Sequence, residues 1–344
     1  MTRRTVSLLV LGLAVLVILW LAADVLLAVF AGILIAVFLR GGGDWMARHL
    51  HVRSALGLSI FCILLVLATA GFLAFAGAAL ADQVQKFVDS LPDAIESARN
   101  FVGDHDWIQR GLQMIDPSTL FSSGSGATSI FSSSLGALGT AVVIAFVGLY
   151  GAIAPGTYVR GFVALLAPSL RRRALRIIGE AGVALRGWLK AQFISMAIVG
   201  ILTGLGLWAI GIPFAPILAI LAAVLTFIPN IGPVLAALPA LLLGLSDGLS
   251  ATLWVAGLYV AVQTVESYLI TPRIQEESVS LPPALTISAQ LLFGVLFGLL
   301  GLALATPLAA VALRLGKIFY VEDYLDAERR PDMRPAPASG SRPG

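Results

Sequence analysis

The chain alternates long apolar runs with short polar stretches. Apolar runs occupy about 5–39, 55–80, 130–154, 191–211, 213–246, 249–270 and 284–316. The first has 35 residues, roughly 52 Å as one helix, against a hydrocarbon core about 30 Å thick. It reads as two tight spans turning near Ala22–Asp24, or as one long tilted helix.

Between the runs lie two segments with helical periodicity. In 82–115, Val84, Phe87, Leu91, Ile95, Ala98 and Val102 recur at helical spacing, which predicts an amphipathic helix or helix pair. A Gly/Ser linker follows at 122–129. In 156–190, Phe162, Leu165, Leu166, Leu175, Ile178 and Leu185 lie among arginines, the pattern of a helix lying on a membrane surface. The tail from 319 to 344 has the composition of a disordered segment.

Composition turns this pattern into a class. Hydrophobic residues make up 58% of the 344 positions and charged residues only 12%, with a mean hydropathy of +0.95. Soluble domains carry about twice that charge fraction, so the chain reads as an all-α polytopic membrane protein. One cysteine, Cys62, excludes a disulfide framework and a multi-cysteine metal site. Arg3 and Arg4 precede an apolar stretch too long for a signal peptide, which favours retained spans.

Charge sorted by loop gives an orientation. Residues 81–129 hold seven acids against three bases, a net of −4. Residues 155–190 hold seven bases against Glu180, a net of +6. Positive loops stay in the cytoplasm. That places Arg40, Arg48, Arg53, the 155–190 segment and both termini inside, and 81–129 outside. The loop 271–283 fits poorly, with Arg273 against Glu276 and Glu277.

The resulting organisation is N-terminal spans over 1–80, an external helical segment over 81–129, a span over 130–154, a cytoplasmic basic helix over 155–190, and a transport core over 191–318.

Two runs carry breaks. In 213–246, Pro229, Asn230, Gly232 and Pro233 split the run into arms of 15 and 14 residues, each only about 21–23 Å as helix and short of a full span. That predicts a re-entrant hairpin, against the alternative of two short true spans joined at the far interface. Broken backbone at membrane depth is tolerated where it is buried or lines a wet cavity, and its freed groups suit ions and polar substrates. The run 284–316 carries Gly294, Gly298, Gly301 and Pro307 and predicts a second hairpin of opposite orientation.

Interior polar residues supply the candidate chemistry. Glu266 falls within a span, one turn after Gln263 and before Pro272 and Arg273. An intramembrane acid is costly and points to function: it could carry a coupling proton or ion, pair with Arg273, or be wetted at the span end. Candidate binding residues are Asn230, Gly232, Glu266, Gln263, Gln290 and Gln192. The pairs Gly200/Gly204 and Gly294/Gly298 read as close helix packing. No Walker motif and no HExxH zinc motif occurs. "GLSDG" at 244–248 matches G-x-S-x-G, but in a helical context and with every histidine preceding Ser246. An enzyme is not expected, nor a metal, cofactor or nucleic-acid partner.

The series "RGWLKAQ" (186–192), "FIPNIGPVLAALPA" (227–240), "VQTVESYLITPRI" (262–274) and "LPPALTISAQLLFGVLFGLLGLALATPLAAV" (281–311) resembles the autoinducer-2 exporter family of bacterial membrane proteins. The resemblance implies an inner-membrane permease of about eight segments with cytoplasmic termini, forming homo-oligomers. Family motif positions fall on Pro229, Gly232, Pro233, Glu266, Pro272 and Pro307. The resemblance implies either export of a small polar signal or sodium/proton antiport. The expected activity is secondary export of an autoinducer-2-like molecule, possible coupling to protons included. The alternative is a cation/proton antiporter with Glu266 as the exchanging site.

Overall fold

The computed structural model describes residues 22–102, 127–270 and 282–318. The expected span before Ala22, Arg3, Arg4, most of the external segment beyond Val102, Pro272, Arg273 and the 319–344 tail lie outside the described residues. The described residues are helical apart from short turns, and no strand occurs among them.

Among the described residues nine α-helices follow in order: α1 (Ala23–Leu50), α2 (Ser54–Val102), α3 (Ala127–Ile153), α4 (Pro155–Ala164), α5 (Pro168–Ile210), α6 (Ala215–Leu225), α7 (Ile231–Ser246), α8 (Leu249–Val265) and α9 (Pro283–Gly316). A π-helical turn, Glu266–Ile270, extends α8. Five helical stretches among the described residues are long and apolar enough to cross a membrane, six if the bent pair α3–α4 is one span. The chain is a multi-pass membrane protein. Helices α6 and α7 are shorter than a crossing.

Local chemistry sets the boundaries. His51 adopts a left-handed conformation (φ 55°) to end α1. Two prolines delimit α4: Pro155 opens it and Pro168 opens α5, each where a missing N–H costs nothing. Ala154 before Pro155 is pushed out of the helical region (φ −132°, ψ 56°). The axis turns there by 95°.

Two expected boundaries fall inside continuous helices. The external segment expected from 81 begins as an extension of the span, because α2 runs unbroken from Ser54 to Val102. Likewise the basic segment expected over 155–190 is not one surface helix. Its second part is the first half of α5, which continues to Ile210. Charged residues change what surrounds a helix without ending it; α1 and α5 end at left-handed residues, His51 and Gly211.

Small residues bring the helices together. A Cβ on Gly32 of α1 would lie 2.6 Å from Val147 Cβ of α3, so the two backbones meet across a bare Cα. Gly200 and Gly204 of α5 sit against Ala223 and Ala219 of α6 in the same way, as the spacing predicts.

Leu27, Ala31 and Leu34 pack with Leu185, Trp188 and Leu189 of α5 and Leu304 and Ala310 of α9. A second cluster joins Leu207, Leu218, Ala240, Leu243 and Val255, with Phe87 of α2 against it. At the end of α9, Arg314 donates from Nε (3.0 Å) and Nη2 (2.7 Å) to Glu180 Oε2 of α5.

Candidate functional site

The break between α6 and α7 follows from two prolines four residues apart. Pro229 has no N–H to give Leu225 O, and Pro233 has none to give Pro229 O. Leu225 O is bonded instead by Ile228 N at 2.9 Å, and Pro229 O by Ile231 N at 2.8 Å. Asn230 turns the chain with φ 66°. The returning α7 then passes so close that a Cβ on Gly232 would lie 1.7 Å from Leu225 O. Gly232 is a packing requirement of the turn.

Two glutamines from other helices complete this backbone. Gln192 of α5 donates from Nε2 to Thr226 O at 2.5 Å. Gln290 of α9 donates from Nε2 to Pro229 O at 2.7 Å and lies 3.3 Å from Thr306 Oγ1. Thr226 is fully buried, its hydroxyl bonded to Ala222 O at 2.7 Å. Trp188 meets Phe227 edge to face, 5.5 Å between centroids. Gln192 thereby pairs Thr226 O, and Pro229 O gains a second donor beside Ile231 N; a buried carbonyl left unpaired would cost about 1–3 kcal/mol.

Helix α9 is itself folded. Sixteen residues of straight helix would separate Gln290 from Thr306 by about 24 Å; they touch. The chain reverses at Gly298 (φ 62°, ψ −147°), a conformation open essentially to glycine alone. Across the reversal, a Cβ on Gly301 would lie 2.2 Å from Phe293 O. Pro307 is buried in the returning arm beside Thr306.

Gln290 therefore touches both broken elements. Its side chain is fully buried, and its Oε1 has no hydrogen-bond partner. A buried acceptor left open in this way is uncommon. The same side chain meets Pro229 O on one broken element and the Thr306 hydroxyl on the other.

The side chains of Asn230, Gln263 and Glu266 make none of these hydrogen bonds. Asn230 is exposed and its side chain caps no helix. Glu266 is buried at the end of α8 and accepts from Gln263 Nε2 at 2.9 Å; Gln263 also reaches Ser267 Oγ at 3.3 Å. Pairing with Arg273 lies outside the described residues. The π turn begins at Glu266, a deformation frequent at functional sites. No group of metal-ligating side chains occurs among the described residues.

Sequence reasoning missed Thr226 and Thr306. The signal available was their place, three residues before Pro229 and immediately before Pro307, where a hydroxyl can serve freed backbone.

A family model described as AI-2E family transporter matches residues 9–319. The chain is similar to "Putative transport protein YrrI" of Bacillus subtilis, 30% identical over 143 residues, 42% of this chain and 40% of that protein. It is 33% identical over 173 residues to "Putative transport protein MT0215" of Mycobacterium tuberculosis, 50% of this chain and 47% of that one. It is also 34% identical over 119 residues to "AI-2 transport protein TqsA" of Escherichia coli, 33% of this chain and 34% of that one. The aligned stretches thus span less than half the length of each of these relatives.

Proposed function

Since the chain belongs to the AI-2E transporter family, we propose that it is a secondary exporter of a small polar molecule, with the 226–232 break and Gln290 as its binding region. The observation that carries this reading is the meeting of two broken elements at one buried amide with an open acceptor. Similarity to TqsA supports an autoinducer-2-like cargo.

In this reading α6–α7 and the two arms of α9 are re-entrant hairpins entering from opposite faces. Short arms and a reversal at Gly298 support it, as does the tolerance of membranes for broken helices that line a polar path. The excess of positive charge in 155–190 supports a cytoplasmic side for that segment and for both termini in a bacterial inner membrane. Homo-oligomers accord with the family resemblance. Glu266 is the coupling group: it is buried, and its described partner is a neutral amide.

The same acid favours a second reading, cation/proton exchange on this scaffold. One experiment separates them: autoinducer-2 flux into sealed proteoliposomes, with and without an imposed pH gradient. Saturable, gradient-sensitive flux is the expected result. Saturable flux indifferent to pH removes the proton. Absent flux from folded, inserted protein overturns the export reading and puts cation/proton exchange first.

A further inference from the structure

The elbow between α4 and α5 has no role in the transport reading, yet its chemistry is specific. Helix α4 leaves the axis of α3 at 95°. A helix perpendicular to a span runs along the membrane plane. One of its faces packs inward, with Val163 buried and Val159 and Leu166 partly covered. On another face Tyr158, Phe162 and Leu165 stand at i, i+4 and i+7, and are 56%, 57% and 86% exposed. An aromatic–aliphatic stripe bared on an in-plane helix matches what sinks into the boundary between headgroups and acyl chains.

Cations stand at the end of that helix. Arg171, Arg172, Arg173 and Arg176 follow Pro168 within the first turns of α5, all of them exposed. Arg171 is fixed: its Nε donates to Leu166 O and its Nη2 to Ala164 O, both at 3.1 Å. The arginine run is thereby pinned to the last residue of α4 and to the turn that follows it. Basic groups at a membrane surface attract anionic headgroups.

We propose that the α4–α5 elbow is a docking surface for anionic phospholipid. Tyr158, Phe162 and Leu165 enter the leaflet, and the arginines of 171–176 hold the phosphates above it.

The test uses the purified full chain in detergent. Its melting temperature is followed as phosphatidylglycerol, phosphatidylcholine or inorganic phosphate is added. Ligands of the folded state raise the melting temperature by mass action. The expected result is a rise with phosphatidylglycerol that phosphatidylcholine and phosphate do not reproduce. The rise is lost in the triple variant Arg172→Gln/Arg173→Gln/Arg176→Gln and kept in Arg48→Gln/Arg53→Gln. An equal rise with phosphatidylcholine or phosphate, or a rise retained in the triple variant, overturns the proposal.

A second measurement stands if the triple variant does not fold. Leu165→Cys, in a Cys62→Ala background, carries a fluorophore in phosphatidylglycerol vesicles. Quenching by a nitroxide near the headgroup end of the acyl chain is expected. Quenching only by a water-soluble agent shows that α4 is not in the leaflet and overturns the proposal.

Discussion

At the residue scale, Gln290 and Gly232 do different work at one turn. Gln290 supplies a donor to Pro229 O; a leucine there fits roughly the same volume and supplies none. Gln290→Leu is expected to lower stability by about 1 kcal/mol, the low end for a lost buried bond, because an open acceptor disappears too. Saturable flux should fall much further than the melting temperature suggests. Melting curves beside flux measurements check this, and flux at the wild-type level excludes Gln290 from the path.

Gly232→Ala is a steric test. Its Cβ would meet the fixed carbonyl of Leu225, so relief needs backbone movement. Overpacking of this kind costs about 1–3 kcal/mol. Gly257→Ala, with open space at its Cα, is the control expected to melt like wild type. Loss of transport at position 232 would therefore report a displaced turn. The prolines of this turn were legible because each deletes a named donor. The exposure of Asn230 was not, because a side chain's direction at a positive-φ residue depends on what surrounds it.

At the scale of elements, the two breaks differ in how they can be read. The Pro-Asn-Ile-Gly-Pro break announces itself. The reversal at Gly298 hides among other glycines, any of which could sit in a straight helix. Its conformation discriminates: Gly298→Ala is expected to cost about 1–3 kcal/mol through backbone strain, whereas Gly294→Ala, whose Cβ would lie 3.4 Å from Leu302 Cδ1, should cost less. Thermal melting of both variants checks the order.

Glu266 closes α8. Glu266→Gln keeps an oxygen for Gln263 and removes the charge. Insertion and melting should be unchanged, while stimulation of flux by a pH gradient disappears. Stimulation that persists at the wild-type ratio removes Glu266 from coupling. The ends of α2 and α5 were the least legible features, since charge along a helix reports its surroundings and carries no stop signal.

At the scale of the molecule, hydropathy alone identified a membrane protein, and proline and glycine placed most breaks. Which helices meet could not be read, because bare Cα positions such as Gly32 serve equally against any neighbour. Topology can be probed directly. With Cys62→Ala as background, cysteines at the exposed positions Pro213 and Asp247 should both react with an impermeant reagent from the outer face. Asn230→Cys should resist the same reagent from the inner face. Rapid inner-face reaction at 230 would make α6 and α7 two true crossings.

The length of α2 has a mechanical consequence. It has 49 residues, with Pro92 inside it; the stretch from Ser54 to Phe87 alone reaches about 50 Å. One end is pressed against α1, where a Cβ on Gly57 would lie 2.6 Å from Ala47 Cβ. Farther along, Phe87 leans edge-on against Phe214 at the entrance to α6, 6.0 Å between centroids. No proline interrupts the stretch between those two footholds. A push on this stretch is thus levered onto the first broken element, so α2 and the 226–232 turn must shift together.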